Sequence, residues 1–199
     1  MTEIFDGIDA DADADAPTLA RLHQRLERAA QDADLLDVAY RTLDTAVGRL
    51  LLARTPLGLV RVAFLDVDGD ALATLAQRIS PRILHAPALL DDAATEIDEY
   101  LAGRRTAFDL PLDLRLAEGF RRQVVEHLRE IGYGRRESYA TVAAAVGNPK
   151  AVRAVGTACA RNPLPLVIPC HRVVRTDGSI GQYAGGPAAK SALLELEAA

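Results

Sequence analysis

Cysteine is scarce in this chain: there are two, Cys159 and Cys170, and the second stands in the run IPCHRVV, Ile168 to Val174. A thiol at neutral pH is a weak nucleophile until a base removes its proton. His171 follows it directly, and Glu197 in the last helical stretch is a carboxylate able to orient the imidazole. Together they make a nucleophile, a base and an orienting acid. Neighbours on an extended chain point to opposite sides, so a bridging water is the expected relay between Cys170 and His171. The same residues fit two other readings, a metal ligand and a buried structural thiol. The metal reading lacks partners, because the two cysteines lie eleven residues apart with no third beside them. Spacing alone leaves nucleophile and structural thiol open.

Helical segments surround this run. EGFRRQVVEHLREIG puts Phe120, Val124, Val125, Leu128 and Ile131 on one face, with Gly132 and Gly134 as its stop. SYATVAAAVG predicts a short helix with Ser138 as N-cap and Gly147 as its end. NPKAVRAVGTACARN predicts another, with Asn148 as cap and Pro149 in the first turn. Two short helices joined by Gly-Asn-Pro suggest a helix-turn-helix. NPLPLVIPCHRVV then reads as extended, RTDGSIGQYAGGP as a loop, and AAKSALLELEA as a final helix with Leu193, Leu194 and Leu196 toward the core.

The first half is mixed. VAYRTLDT, GRLLLART and GLVRVAFLD predict strands; GDALATLAQRI and DDAATEIDEYLAG predict helices. TAFDLPLDLRL reads as extended, and Pro111 restricts it to a sheet edge or a linker. Ahead of these lies an acidic extension beginning DADADADA, followed by Leu19, Leu22 and Leu26 at helical spacing, with Thr18 as N-cap after Pro17. A calcium loop starting at Asp11 would require Gly and Glu where the chain has Ala16 and Leu22, so a solvated acidic arm is expected.

Charge is unevenly shared: residues 1–114 carry −10 and residues 115–199 carry +5, giving the formal −5 of the chain. A basic second half is suited to phosphate. The start has neither a basic nor an apolar stretch of a secretory signal, and no run approaches the roughly eighteen apolar residues of a membrane span. The expected setting is reducing and cytoplasmic.

The string NPKAVRAVGTACARNPLPLVIPCHRVV, Asn148 to Val174, followed by GQYAGG at 181–186, resembles the O6-alkylguanine–DNA alkyltransferase family, the methylated-DNA–protein-cysteine methyltransferases. The likeness is close from Phe120 to Glu197; residues 38–114 match only in length and pattern. It implies an α/β N-terminal domain of ribonuclease-H-like fold at residues 37–114, after an extension at 1–36. It further implies a mainly α C-terminal domain at 115–199 with a winged-helix-like helix-turn-helix. The implied activity is direct-reversal DNA repair in duplex DNA: one irreversible transfer of a methyl group from O6-alkylguanine to Cys170, with O4-alkylthymine a further substrate class. His171 would take the thiol proton through water, Glu197 would orient it, and Tyr139 would protonate the displaced guanine. Asn162 would tie the recognition helix to the acceptor segment.

Because the target methyl is unreachable inside a duplex, the base must be flipped out. Arg153 would fill the vacated stack, and Tyr139, Ser138, Lys150, Ala151, Ala154 and Arg161 would line the DNA contact in the minor groove. Val173, Tyr183, Ala184 and Gly185 would wall the guanine pocket. No cofactor and no metal is implied, since no cysteine precedes Cys159; weak cooperative self-association on DNA is compatible with the family. Three departures stand out: Val125 where relatives often carry Trp, GYGR at 132–135 where many carry PYGE, and Ala184 where some carry Ser. A thiol hydrolase would leave Arg153 and the helix-turn-helix without a role, and a non-catalytic binder would not need Cys170.

Overall fold

The computed structural model describes residues 9–198, with side chains from Pro17 onward. The first half runs α1 (Asp9–Asp32), β1 (Val38–Thr45), β2 (Gly48–Thr55), β3 (Gly58–Phe64), α2 (Ala71–Arg78), β4 (Ile83–His85), a 3-10 turn at Pro87–Leu90 and α3 (Asp91–Leu101). The second half runs α4 (Gly119–Leu128), β5 (Glu137–Ser138), α5 (Tyr139–Ala145), α6 (Val152–Ala160), a 3-10 turn at Cys170–Arg172, β6 (Val173–Val174) and α7 (Gly186–Leu196).

The sheet has the order β3-β2-β1-β4, with β1 antiparallel to β2, β2 antiparallel to β3, and β4 parallel to β1. β2 is central and buried on both faces, as its apolar run LLLA suggests. Alternation divides that run: Leu50 and Leu52 enter the main core, whereas Leu51 and Ala53 pack on Ala71 and Leu75 of α2. The outer edge of β3 is occupied. Leu59 N donates to the Pro111 carbonyl at 2.8 Å, and Asp113 N donates to Leu59 O at 2.8 Å, so the Pro111 segment lies at a sheet edge as predicted. Gly58 is required there: at φ +142° its absent Cβ would sit 2.2 Å from Pro111 O.

α3 buries Ala93, Ala94, Ile97 and Tyr100 in one stripe, each large apolar member contributing roughly 1.5–3 kcal/mol. Asp91 and Asp92 occupy its first turn, where the helix dipole favours negative charge. The stripe meets α4 residues Val124, Val125 and Leu128 and the segment from Leu164 to Ile168 in a single core shared by both halves. A backbone bond from Val62 N to Pro163 O at 2.9 Å joins them directly.

Three expectations need correction. First, α1 runs through Pro17, and Thr18 is not its N-cap. The alanines before Pro17 favour helix enough to carry the backbone past a missing N–H, and Thr18 Oγ1 accepts from Arg21 instead. The Leu19, Leu22 and Leu26 stripe is 61%, 52% and 53% exposed. The first eight residues of the acidic extension lie outside the described residues. Second, α6 begins at Val152, because Asn148 and Pro149 form a preceding turn closed by Ala151 N on Asn148 O at 2.9 Å. Third, NPLPLVIPCHRVV is folded into turns and a 3-10 segment, with only Val173–Val174 in a strand. Asn162 causes this by bonding backbone on both sides of the bend. No helix among the described residues is long and apolar enough to cross a membrane.

Candidate active site

The residues singled out in the sequence separate into a buried group and an exposed one. Cys170, His171, Asn162, Glu197, Val173 and Tyr183 are buried. Arg153, Ala154, Lys150 and Arg161 are exposed on or beside α6, Ala151 is half-buried, and Ser138 and Tyr139 stand half-buried at the start of α5. Ala184 and Gly185 are half-buried in the loop before α7. Ser138 caps α5 as expected, its Oγ accepting from Thr141 N at 3.0 Å.

Cys170 opens the 3-10 turn with only 2% of its surface accessible. Burial pushes its thiol up to about 11, partly offset by the Asn162 amide and the Lys190 ammonium. At neutral pH the resting side chain is therefore a thiol and requires a base. His171 is fully buried, and burial holds its imidazole below the ordinary histidine value against the pull of Glu197. It is neutral, as a base must be. Its Nε2 lies 2.8 Å from Glu197 Oε1, while Nδ1 is buried without a hydrogen-bond partner among the described residues. A nitrogen facing an ionised carboxylate carries the proton. The lone pair is then on Nδ1, free to accept one.

Glu197 is the hub. Burial opposes its ionisation, but hydrogen bonds from His171, Arg172 and Tyr100 outweigh this and hold the carboxyl down at about 2. Arg172 donates through Nε at 2.9 Å to Oε2 and through its terminal nitrogen at 2.9 Å to Oε1, and Gly134 N donates to Oε2 at 3.1 Å. Arg172 also donates to the Ile131 carbonyl. An ion pair this deep needs such full satisfaction of donors and acceptors to persist.

The pocket walls come from four elements. Tyr183 packs its ring between His171, at a centroid distance of 6.0 Å, and Phe64 of β3 at 5.6 Å. Gly181 lies against Tyr139, and a Cβ there would sit 2.3 Å from the tyrosine hydroxyl. Burial pushes the Tyr139 phenol up to about 12, so it keeps its proton at neutral pH. Lys190 on α7 donates to the Val173 carbonyl at 2.6 Å and lies 5.9 Å from the Tyr139 ring centre. A cleft of about 320 Å³ lined by Ala184, Asn162, Pro165, Phe64, Arg61 and Arg161 opens beside this loop.

Sequence reasoning did not anticipate Tyr100, Arg172 or Lys190. Two of them left a signal: Arg172 stands inside an apolar run, and Lys190 lies three and four residues before Leu193 and Leu194, on the buried side of α7. A buried cation has to be paired.

The ribonuclease-like domain of 6-O-methylguanine DNA methyltransferase matches residues 38–114, and the DNA-binding domain of the same family matches residues 119–199. The chain belongs to the 6-O-methylguanine DNA methyltransferase family. It is 37% identical over 163 residues to the methylated-DNA–protein-cysteine methyltransferase of Mycobacterium tuberculosis (strain H37Rv), covering 80% of this chain and 92% of that one. It is 41% identical over 165 residues to the bifunctional transcriptional activator/DNA repair enzyme Ada of Escherichia coli K12, covering 82% of this chain but only 46% of the relative, so it spans about half of that protein. A crystal structure of Mycobacterium tuberculosis OGT in complex with DNA superposes with a TM-score of 0.71 at 36% identity, over 80% of this chain and 92% of that one.

Proposed function

We propose that this chain repairs alkylated DNA by direct reversal, transferring a methyl group from O6-methylguanine to its own Cys170 in a single turnover. The observation that carries the reading is the state of His171, the residue next to the thiol that needs a base: Nε2 is fixed on Glu197 and the buried Nδ1 has no partner among the described residues.

In the reaction the Cys170 proton passes through a water to His171 Nδ1, and the thiolate attacks the methyl carbon in line with the C–O bond. That bond breaks, and its electron pair stays on the guanine, which takes a proton from Tyr139. The tyrosine is reprotonated from solvent or the imidazolium, so guanine and S-methylcysteine are the products. A thioether has no leaving group that water can displace, and the acceptor is spent.

Duplex DNA lies along α5 and α6, entering by its minor groove, where Ala151, Ala154 and Gly156 present little bulk. Arg153 projects from the exposed side of α6 and takes the place of the flipped base. Its planar cation can stack and hydrogen-bond in the gap. The carbonyls of Cys170 and Val173 accept from the guanine amine, and Tyr183 and Ala184 border the alkyl group.

The test is incubation with duplex DNA carrying O6-[³H]methylguanine. Label moves to the protein in a one-to-one ratio, is lost in Cys170→Ala, and persists in Cys159→Ala. Turnover beyond one equivalent would refute the single-use acceptor.

A further inference from the structure

Glu197 belongs to the C-terminal half, yet one of its hydrogen-bond donors comes from the other half of the molecule. Tyr100, the last residue of the buried α3 stripe, is fully buried and donates its hydroxyl proton to Glu197 Oε1. The same hydroxyl oxygen lies 3.3 Å from His171 Nε2. We infer that Tyr100 is a positioning residue of the transfer reaction: it fixes Glu197 and, through it, the tautomer of His171, so that the N-terminal domain supplies part of the proton relay. This rests on the relay described under the proposed function.

The argument is one of counting protons. A phenol has a single hydrogen, and Tyr100 gives it to a carboxylate that can only accept. What the Tyr100 oxygen offers His171 is then a lone pair. His171 Nε2 faces two acceptors, Glu197 Oε1 at 2.8 Å and Tyr100 Oη at 3.3 Å, and must carry its own hydrogen. If Tyr100 instead donated to Nε2, the proton of the neutral ring would sit on Nδ1. The nitrogen that has to receive the thiol proton would then already carry one. The contact between Tyr100 and Glu197 excludes that arrangement.

The surroundings leave the phenol no other use. Its ring is held at 5.0 Å from Phe108 and edge-on at 6.0 Å from Tyr133, both centroid distances, and its hydroxyl has no water-facing surface. The charged and titratable groups around the pair are Arg172, from the turn that carries Cys170, Lys190 of α7, Tyr183 against the His171 ring, and Tyr133 edge-on to Tyr100. The two cations cannot orient an imidazole as acceptors, the Tyr183 hydroxyl bonds neither member of the pair, and the Tyr133 hydroxyl donates to the Leu196 carbonyl. Tyr100 is thus the one group of the N-terminal half, among the described residues, that touches both members of the relay.

Single-turnover transfer rates from the labelled duplex, followed across pH, provide the test on the full chain in four forms: parent, Tyr100→Phe, Glu197→Gln and the double variant. Tyr100→Phe removes one charge-assisted bond, and transfer is expected to slow roughly tenfold with unchanged DNA affinity. With one donor fewer, Glu197 turns more negative charge on the imidazole, so the acid limb of the pH profile moves to higher pH by about half a unit or more. The double variant is expected to be no slower than Glu197→Gln alone, because the two act through one bond. A Tyr100→Phe protein with the parent's rate and pH profile overturns the inference, as does a double variant whose loss is the product of the two single losses. Glu197→Gln at the parent's rate overturns the relay itself, and the inference with it; an effect of Glu197→Gln without one of Tyr100→Phe removes the inference alone. Should Tyr100→Phe not fold, ¹⁵N spectra of His171 in the parent protein decide: a protonated Nε2 at neutral pH supports the role, and a protonated Nδ1 overturns it.

Discussion

The Asn162 side chain donates through Nδ2 to the Ile168 carbonyl at 2.9 Å, across the bend that leads from α6 to the thiol. Its Oδ1 accepts from Leu164 N at 3.0 Å, so one buried amide satisfies backbone groups on both sides of the turn. The turn also contains Leu166 at φ +76°, a left-handed conformation that a leucine adopts only under constraint. Asn162 thus sets the distance between α6 and Cys170.

Asn162→Ala leaves the buried Leu164 N–H unpaired and takes one of two donors from the Ile168 carbonyl, which keeps Cys170 N at 2.8 Å. The expected loss is about 2 kcal/mol of stability, read as a lower urea midpoint. Transfer falls by more than that destabilisation explains, roughly tenfold or more, because the thiol is no longer held in line. Normal transfer by a folded Asn162→Ala protein would separate the amide from the reaction.

Acid weakens the fold through Glu197 and His171. Glu197 is held down at about 2 from 4.5, so its contribution is fully present above pH 4.5 and is lost as pH falls toward 2. The shift corresponds to stability on the order of 3 kcal/mol. The buried His171 is also depressed; its protonation is easier in the unfolded chain, so stability begins to fall below the ordinary histidine value of 6.5. Denaturation of Glu197→Gln across pH should show a much shallower decline between pH 4.5 and 2 than the parent.

Arg153→Ala removes the group proposed to hold the flipped state. Unstacking costs a few kcal/mol, so repair of duplex substrate should slow by on the order of a hundredfold, while reaction with free O6-methylguanine changes little. Rates measured side by side on both substrates check this, and equal losses on the two would remove the finger role.

Gly156 lies in the middle of α6 with no atom near the place of a Cβ. Gly156→Ala should therefore stabilise the helix by about 0.5–1 kcal/mol. The added methyl stands on the helix proposed to approach DNA, so duplex affinity should drop at the same time. Thermal melts and a binding titration at one salt concentration measure both, and tighter binding would move the DNA contact off this part of α6.

The strands β1 and β2 were legible residue for residue, because VAYRTLDT is rich in β-branched and aromatic residues and GRLLLART holds a short apolar run, each followed by a turn. Ser138 at the start of α5 was legible for the same local reason. The start of α6 was not: Asn-Pro suits a helix cap and a turn equally well, and the exposed segment closes as a turn through Ala151 N on Asn148 O. Cys170, His171 and Glu197 were visible as a candidate relay, the first two through their motif, but the partners of Glu197 were not. Tyr100 and Glu197 are 97 residues apart, and one sequence holds no information on which stripe will face which.

The single core shared by the two halves has a consequence for how the protein fails. Residues of the sheet, α3, α4 and α7 occupy one continuous cluster, and the Val62–Pro163 bond stitches sheet to acceptor segment. Unfolding should then be one event rather than two, with no stage at which the small domain melts and leaves a working alkyl acceptor behind. Protease cleavage in the connection between Leu101 and Gly119 should yield two fragments that stay associated in native buffer, and that lose structure together once either is pulled away.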